Sequence, residues 1–547
     1  MYSTDVLVVG AGMGGMLAAK TAAEAGQKVI LVDKARAGTS GPTAFAAGDF
    51  LCWVPEEDSL QEWVNYYLEI GEGINIKNWV IKLFETNYEI IKDLDHQGYY
   101  IEKNSDGSYM RRGGRGKITK CVLIPTYRLM QEMRKDLIKM GIKILDRVQI
   151  TKVVKDEADA VCGVMGFNIR NGESILINAK STVLAAGGCS YRGPFFGQDV
   201  VSGEGLIMAF EAGADLAYME YGNHFNVSLK AYDTYGQSKF MAHGGKYINK
   251  LGESFLDKSG DGSRASGHIA VRKMVEEVEK GSGPVYLDLR DFTEKDLVKR
   301  LMPNLDLLLQ NSTIDFYGAP NEAIPGLTGT SNASSAGVLI DDMGRTSVKG
   351  LYAAGDNASK GLVTGACVGL SGVSLAWANV TGHLAGKSAA AYARSKEEST
   401  SIIMKNIEIN EFHEFKGSKG SINPREVIWK LSEIMGNGYV SIVKSQERLD
   451  GALDRCRGLE RILYNDALVN DYHDLMLWHE AKNALNTARL TLNASIYRRE
   501  TRGGHYREDY PQRDMLLDNN ILVVNKHTGE SAFNYLSVQR GVAFTWS

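Results

Sequence analysis

Cysteine is scarce and scattered in this chain of 547 residues: Cys52, Cys121, Cys162, Cys189, Cys367 and Cys456 include no CxxC or CxxCH pair. That spacing leaves no ligand set within the chain for an iron–sulfur cluster, a haem or a zinc ion, and no metal site is expected. The N-terminus enters a strand directly, without a charged region and apolar stretch, so no export signal is expected. Widely spaced thiols in such a chain are expected to be reduced, buried and inert. Charge of one sign is also lacking. The net charge of −4 is nowhere concentrated, which argues against nucleic acid or an anionic membrane as the main partner. No apolar run approaches the roughly 18 residues of a membrane helix. These absences point to a soluble cytoplasmic protein, long enough for roughly two to four domains with large cores.

What is present begins at the first residues. Asp5-Val6-Leu7-Val8-Val9 is a continuous apolar, β-branched run, the pattern of a strand buried on both faces. It turns at Gly10-Ala11-Gly12-Met13-Gly14-Gly15, enters an alanine-rich helix and returns as a second strand ending in Asp33. Gly10 permits the tight turn, Gly12 lets backbone approach a pyrophosphate, and Gly15 lets helix and strand pack closely. The helix N-terminus offers free N–H groups and a positive dipole end to phosphates. Asp33, 23 positions after Gly10, is placed to bind ribose hydroxyls. The order strand, turn, helix, strand, acid predicts dinucleotide binding.

The next connection, Lys34 to Asp49, is rich in small residues and includes Thr39, Ser40, Thr43 and Gly48. Such backbone can lie flat against a planar ligand. Amphipathic helices are expected within 57–97 and over 128–141. Alternating strands within 143–179 then lead to Ser181-Thr182-Val183-Leu184-Ala185-Ala186-Gly187-Gly188, a second backbone approach to the nucleotide. A helix is expected from Gly203 to Tyr221. Residues 222–345 change character, with glycine-rich turns and helices near 266–280 and 293–310, and read as an inserted domain. The nucleotide domain resumes at Gly350-Leu351-Tyr352-Ala353-Ala354-Gly355-Asp356, where Asp356 can accept from a ribityl hydroxyl. A loop through Ser371 leads into a helix near Ser374 and Leu375, whose dipole would favour negative charge on a flavin ring. Three or more helices are expected from Pro424 to about Tyr497. The stretch Arg498 to Pro511 carries charge too densely for a core, and reads as a salt-bridged surface or a site rim in which His505 and Arg507 take part.

Together these pieces resemble the flavoprotein subunits of succinate dehydrogenase and fumarate reductase, a family that includes L-aspartate oxidase and adenylylsulfate reductase. The resemblance rests on the first motif, Gly203-Glu204-Gly205 to Glu220, Ala353-Ala354-Gly355-Asp356, and Arg502-Gly503-Gly504-His505-Tyr506-Arg507-Glu508-Asp509-Tyr510-Pro511. It implies an α/β fold: a Rossmann-like FAD-binding domain (1–221 and 346–395), an inserted α+β capping domain (222–345), a linker (396–425) and a C-terminal helical domain (426–547). It also implies FAD and electron exchange with an iron–sulfur subunit, hence a hetero-oligomer, or with a soluble acceptor. The cofactor residues on this reading are Gly10, Gly12, Gly15, Asp33, Lys34, Thr39, Ser40, Thr43, Gly48, Ala186, Gly187, Gly188, Asp356, Ser371, Ser374 and Leu375.

Departures from the family carry as much information. Members with covalent FAD have a histidine where Pro42 stands, so FAD is expected to be non-covalent. The His-x-x-x-Gly-Gly of dicarboxylate-handling members is Asn332-Ala333-Ser334-Ser335-Ala336-Gly337 here. Their loop arginine is missing from Gly365-Ala366-Cys367-Val368-Gly369-Leu370, their Arg-Gly-Glu-Gly-Gly reads Met241-Ala242-His243-Gly244-Gly245, and their later relay arginine is Gly267. Two carboxylates need bidentate cationic donors, so succinate and fumarate are not the expected substrates. His243, with an ordinary pKa near 6.5, is the acid–base candidate, and is as readily a structural histidine. Asn332, His224 and Asn223 are pocket candidates, with Tyr235 and Arg264 behind them. Three readings follow: an FAD-dependent dehydrogenase or reductase of an organic substrate, an adenylylsulfate-reductase-like flavoprotein that acts on a sulfur centre, and a catalytically silent flavin-binding relay or scaffold.

Overall fold

The structure is a computed structural model and describes residues 1–232, 237–258, 262, 264–396, 420–527 and 530–538. The apolar runs at the N-terminus form β1 (Tyr2–Val9) and β2 (Val29–Asp33), joined by the helix α1 (Met13–Glu24). Both strands are parallel and lie inside a seven-stranded sheet, six of whose strands run in the order 143–146, β2, β1, 174–184, 161–168, 148–155, with 351–353 paired to 174–184 off this path. The strand Ser174–Leu184 is one continuous element where two were expected. Its first half pairs antiparallel with Val161–Asn168, and its second half pairs parallel with Leu351–Ala353. Val9 and Ala353 therefore both register against Leu184, and five parallel strands, 143–146 beside β2 included, end along one edge.

Helix α1 has no solvent face from Met13 through Ala22, which are all buried. Its small residues let the helix Val373–Ser395 cross it at backbone distance: a Cβ on Gly382 would lie 2.4 Å from the Gly14 carbonyl oxygen, and one on Gly386 2.5 Å from that of Ala18. The expected long helix after Gly203 is shorter than the sequence suggested. It spans Glu204–Ala212 and stops where Gly213 takes a φ of +100°.

The inserted segment builds a four-stranded antiparallel sheet, in the order 224–229, 321–329, 285–288, 246–248. The helix Gly267–Glu279 packs on it, and the stretch near 293–310 breaks at Pro303 into two helices, Lys295–Leu301 and Pro303–Gln310. From Pro424 the helices are Pro424–Met435, Gln446–Asp466 and Tyr472–Tyr497. After Asn520 the described residues form strands rather than helices. A hairpin, Asn520–His527 with Glu530–Ser537, adds to Leu216–Ala217, with Val524 opposite Leu216. One hydrophobic core underlies the parallel sheet; a second runs from Val227 and Leu287 of the inserted sheet into Leu431, Leu453 and Leu485 of the C-terminal helices. The expected linker, 396–425, falls largely on residues 397–419, outside the described residues. No described helix is long and apolar enough to cross a membrane. All six cysteines are free, and all but Cys162 are buried.

Candidate active site

The ends of four of these strands, β1, β2, 174–184 and 351–353, converge on a cleft with about 1190 Å³ of empty space, its open mouth included. Ligands of open parallel sheets sit outside the carboxyl ends of the strands, and small-molecule pockets commonly measure about 300–1,000 Å³. Gly10 turns the chain at φ +101°, and a Cβ there would lie 2.3 Å from the Ala185 carbonyl oxygen. A Cβ on Gly15 would come to 1.9 Å from the Gly10 carbonyl oxygen, the close helix–strand packing the motif predicts. Gly12 differs: its nearest neighbour would be Thr43 Oγ1 at 3.6 Å, so a side chain there would grow into the cleft. That is a cradle for a pyrophosphate at the α1 N-terminus.

At one part of the cleft, Asp33 accepts from the amides of Ala11 (2.8 Å) and Ala35 (2.7 Å). Burial pushes its carboxyl above the usual range, and those two amides and Lys34 oppose the shift. The two bonds fix the carboxylate and leave lone pairs for ribose hydroxyls. Lys34 lines the same wall, but its Nζ is committed to Glu204, to Glu480 at 2.6 Å and to Ser202 at 3.4 Å. Burial would lower its pKa; the two carboxylates outweigh that and raise it. At another part, Asp356 holds Lys360 Nζ at 2.5 Å and the Asn332 amide at 2.9 Å. Asn332 adopts the left-handed φ of +57°, a conformation asparagine tolerates, and its carbonyl accepts from Ser374 Oγ at the start of the helix Val373–Ser395.

Gly10, Gly12, Asp33, Lys34, Ser40, Thr43, Ala186, Gly187, Asp356, Ser374, Leu375 and Asn332 thus line one cleft. Gly15, Thr39, Gly48, Gly188 and Ser371 are not among its lining residues. Thr39 donates to the Arg36 carbonyl, Gly48 accepts from Ile124, and Gly188 packs on Thr330. Ser371 Oγ accepts from the Arg115 amide at 2.8 Å.

The acid–base candidates separate. His243 lines neither this cleft nor the second cavity described below. Burial lowers its pKa, and Glu294, Arg112, Lys239 and Asp49 surround it. His224 and Asn223 line the second cavity, together with His268, Arg272, Lys444 and Tyr506. Arg264 pins a loop, donating to the carbonyls of Gly114 (2.8 Å) and Thr119 (2.9 Å). Tyr235 lies outside the described residues. Among the described residues no group of His, Cys, Asp and Glu is placed to hold a metal ion.

The charge-dense segment corrects the sequence reading. Arg498, Glu500, Arg502, His505 and Arg507 are all 0 % exposed. Their charges satisfy one another: Arg498 pairs with Glu220 and Glu500, Arg502 with Glu500 and Asp518, Arg507 with Asp509. Sequence reasoning also missed Arg115, which is 1 % exposed. Its guanidinium has no carboxylate partner among the described residues and donates to Asn226 Oδ1 and, at 3.0 Å, to the Tyr247 hydroxyl. Its one sequence signal is a run of flanking glycines, Gly113, Gly114 and Gly116. Arg115 borders the place where the inserted segment meets the flavin-side loop. There the Gly267 amide donates to the Gly369 carbonyl at 3.1 Å, and the Gly369 amide to that of Ala333 at 3.2 Å. A Cβ on Gly369 would lie 2.5 Å from Gly267 Cα and 3.1 Å from His224 Cε1.

Comparison with known proteins agrees with this geometry. Residues 5–375 match the FAD binding domain family and residues 429–544 the fumarate reductase flavoprotein C-terminal family. A fumarate reductase (CoM/CoB) subunit of Methanothermobacter marburgensis is 30% identical, covering 96% of this chain and 98% of that protein. The L-aspartate oxidase of Streptomyces coelicolor is 26% identical, over 94% and 90% respectively. In fold, the chain is similar to quinol fumarate reductase of E. coli, with a TM-score of 0.87 at 23% identity over 98% of this chain and 97% of that one. Adenylylsulfate reductase of Archaeoglobus fulgidus gives 0.80 at 22%, over 98% and 96%. With a Rossmann-like FAD-binding domain, an inserted α+β domain and a helical C-terminal domain in place, the chain belongs to the family of FAD-dependent oxidoreductase flavoproteins that includes fumarate reductase, succinate dehydrogenase and L-aspartate oxidase.

Proposed function

We propose that this flavoprotein is a cytoplasmic dehydrogenase or reductase that moves a hydride to or from a carbon of an organic substrate other than succinate or fumarate. An iron–sulfur subunit is its proposed electron partner, as the family resemblance implies. The observation that carries the substrate reading is the Gly267–Gly369 contact. The capping helix and the flavin-side loop touch through backbone where relatives place arginines, so neither of those arginines is available for a second carboxylate.

The FAD, when bound, supplies the hydride acceptor or donor. The residues present fit it. Gly12 and the α1 N-terminus would hold the pyrophosphate, and Asp33 the adenine-side ribose. Asp356 would face the ribityl chain, and the start of the helix Val373–Ser395 would favour negative charge on the ring. Pro42 begins the short helix Pro42–Phe45 and offers no nucleophile, which supports non-covalent attachment. The sulfur-centre reading fits less well: Lys34 is the one cation lining the cleft among the described residues, and it is neutralised by Glu204 and Glu480.

The test is stopped-flow spectroscopy of the FAD-loaded chain, reduced with dithionite under anaerobic conditions and then mixed with fumarate. No reoxidation above the buffer rate is expected. Saturable reoxidation by fumarate would overturn the substrate reading. Acid precipitation of the same sample is expected to leave all flavin in the supernatant.

A further inference from the structure

A second cavity lies between the helix Gly267–Glu279, the strand His224–Leu229 and the C-terminal stretches at Lys444 and Tyr506. It holds about 410 Å³ of empty space, its mouth included. Its lining includes His224, His268, Arg272 and Lys444, and no acidic side chain. Several polar atoms there are buried without a hydrogen-bond partner among the described residues: Asn223 Oδ1 and Nδ2, His224 Nε2 and Arg272 Nε. Asn223 is 6% exposed, His224 3% and Lys444 1%. Buried polar groups are nearly always hydrogen-bonded, and a cluster of exceptions calls for a missing partner.

Lys444 sharpens the point. Its Nζ donates to the Glu220 carbonyl at 3.0 Å and to His505 Nδ1 at 3.1 Å, while His505 Nε2 donates to the Arg498 carbonyl at 3.0 Å. In its ammonium form Lys444 has three protons, so one is left over in the cavity that it lines. Beyond the wall, Glu220 gives its Oε1 to Arg498 at 2.7 Å. Arg272 stacks on the Tyr506 ring, its Cζ 5.2 Å from the centroid, and Glu276 Oε1 is 3.8 Å from its Nε, outside hydrogen-bond range.

We propose that this cavity is a binding site for a compact oxyanion, held jointly by Arg272 of the inserted helix, Lys444 of the C-terminal domain and the Asn223 amide. The bound anion would tie the inserted segment to the C-terminal domain. The site is separate from the FAD cleft, and its occupancy does not depend on which substrate the flavin oxidises or reduces.

Isothermal titration of the full FAD-loaded chain tests it, with sodium phosphate, sulfate and acetate as separate titrants at constant ionic strength in chloride. Bound FAD keeps the titrants out of the pyrophosphate cradle. One-to-one saturable binding of at least one oxyanion is expected; preference for acetate assigns a carboxylate, preference for phosphate or sulfate a tetrahedral anion. Arg272→Gln, at a half-buried position, and Asn223→Leu are each expected to weaken binding by about tenfold or more. Lys444→Met is a third probe where it folds. Absence of saturable binding for all three oxyanions, or binding unchanged in both Arg272→Gln and Asn223→Leu, overturns the proposal.

Discussion

Arg498 Nε lies 2.7 Å from Glu220 Oε1, and both side chains are completely shielded from solvent. The pair joins the last turn of the helix Tyr472–Tyr497 to the segment that enters the inserted domain, and Arg498 passes the connection on to Glu500, Arg502 and Asp518. Breaking one side of a buried pair leaves an uncompensated charge, at a cost of about 3–5 kcal/mol, whereas replacing both partners by apolar groups can be close to neutral. Glu220→Leu is therefore expected to lower the urea midpoint strongly, and Glu220→Leu with Arg498→Met to recover much of the loss. Equal midpoints for Glu220→Leu and the parent would show that the pair does not stabilise the fold.

That same segment shows where sequence reading stops. Composition reveals that Arg498 to Pro511 is charged, but burial depends on whether each charge meets its opposite, and the partners Glu220 and Asp518 lie outside the stretch. The β1–α1–β2 unit was legible because its logic is local: an apolar strand, three glycines with separate steric duties and an acid after the next strand. The pairing of Val524 with Leu216 was not, because a strand of two residues has no periodicity to read. Arg115 escaped for a related reason. Its neighbours Asn226 and Tyr247 come from the inserted sheet, and nothing around it in sequence says that it is buried against them.

The glycines of the first motif separate binding from folding. A side chain at Gly12 enters the cleft, with no atom nearer than 3.6 Å to its Cβ, while one at Gly15 collides with the Gly10 carbonyl at 1.9 Å. Gly12→Val is expected to yield folded protein that loses FAD at least tenfold more readily, measured by flavin fluorescence on dilution. Gly15→Ala is expected to lower the melting temperature of the apoprotein as well. Tight FAD binding by Gly12→Val would mean that the pyrophosphate does not lie against that turn.

Gly369 offers a test of closure. It holds a φ of +86°, and its would-be Cβ falls 2.5 Å from Gly267 Cα. Gly369→Ala combines a left-handed non-glycine residue, worth on the order of 1–3 kcal/mol, with a backbone clash. The bond from the Gly267 amide to the Gly369 carbonyl should give way. Hydrogen exchange over 267–279 is expected to accelerate in Gly369→Ala while exchange in α1 stays as in the parent. Unchanged protection of the helix Gly267–Glu279 would show that this contact does not hold the inserted segment down.

Lys444 makes stability depend on pH in a window where few other groups change. Burial lowers its pKa to about 7; Glu220 opposes the shift and Arg507 adds to it. An unfolded lysine titrates near 10.4, so between pH 7 and that value the unfolded chain binds a proton that the folded chain lacks. Stability then rises with pH across the window, by up to about 1.4 kcal/mol per pH unit for one group. Below pH 7 both states carry the proton and the penalty is constant. Buried histidines act lower: burial depresses His224, His479 and His505, so they remove stability as pH falls through about 6.5. Cysteines in the unfolded chain begin to titrate near 8.5, which leaves pH 7 to 8 as the clean interval. Urea unfolding of the parent is expected to show a midpoint that climbs between pH 7 and 8, and Lys444→Met a flatter one. Equal slopes in the two proteins would mean that Lys444 keeps its proton in the fold. An oxyanion in the second cavity should raise the lysine's pKa, so the parent's slope is also expected to shrink in phosphate if phosphate is the anion bound there.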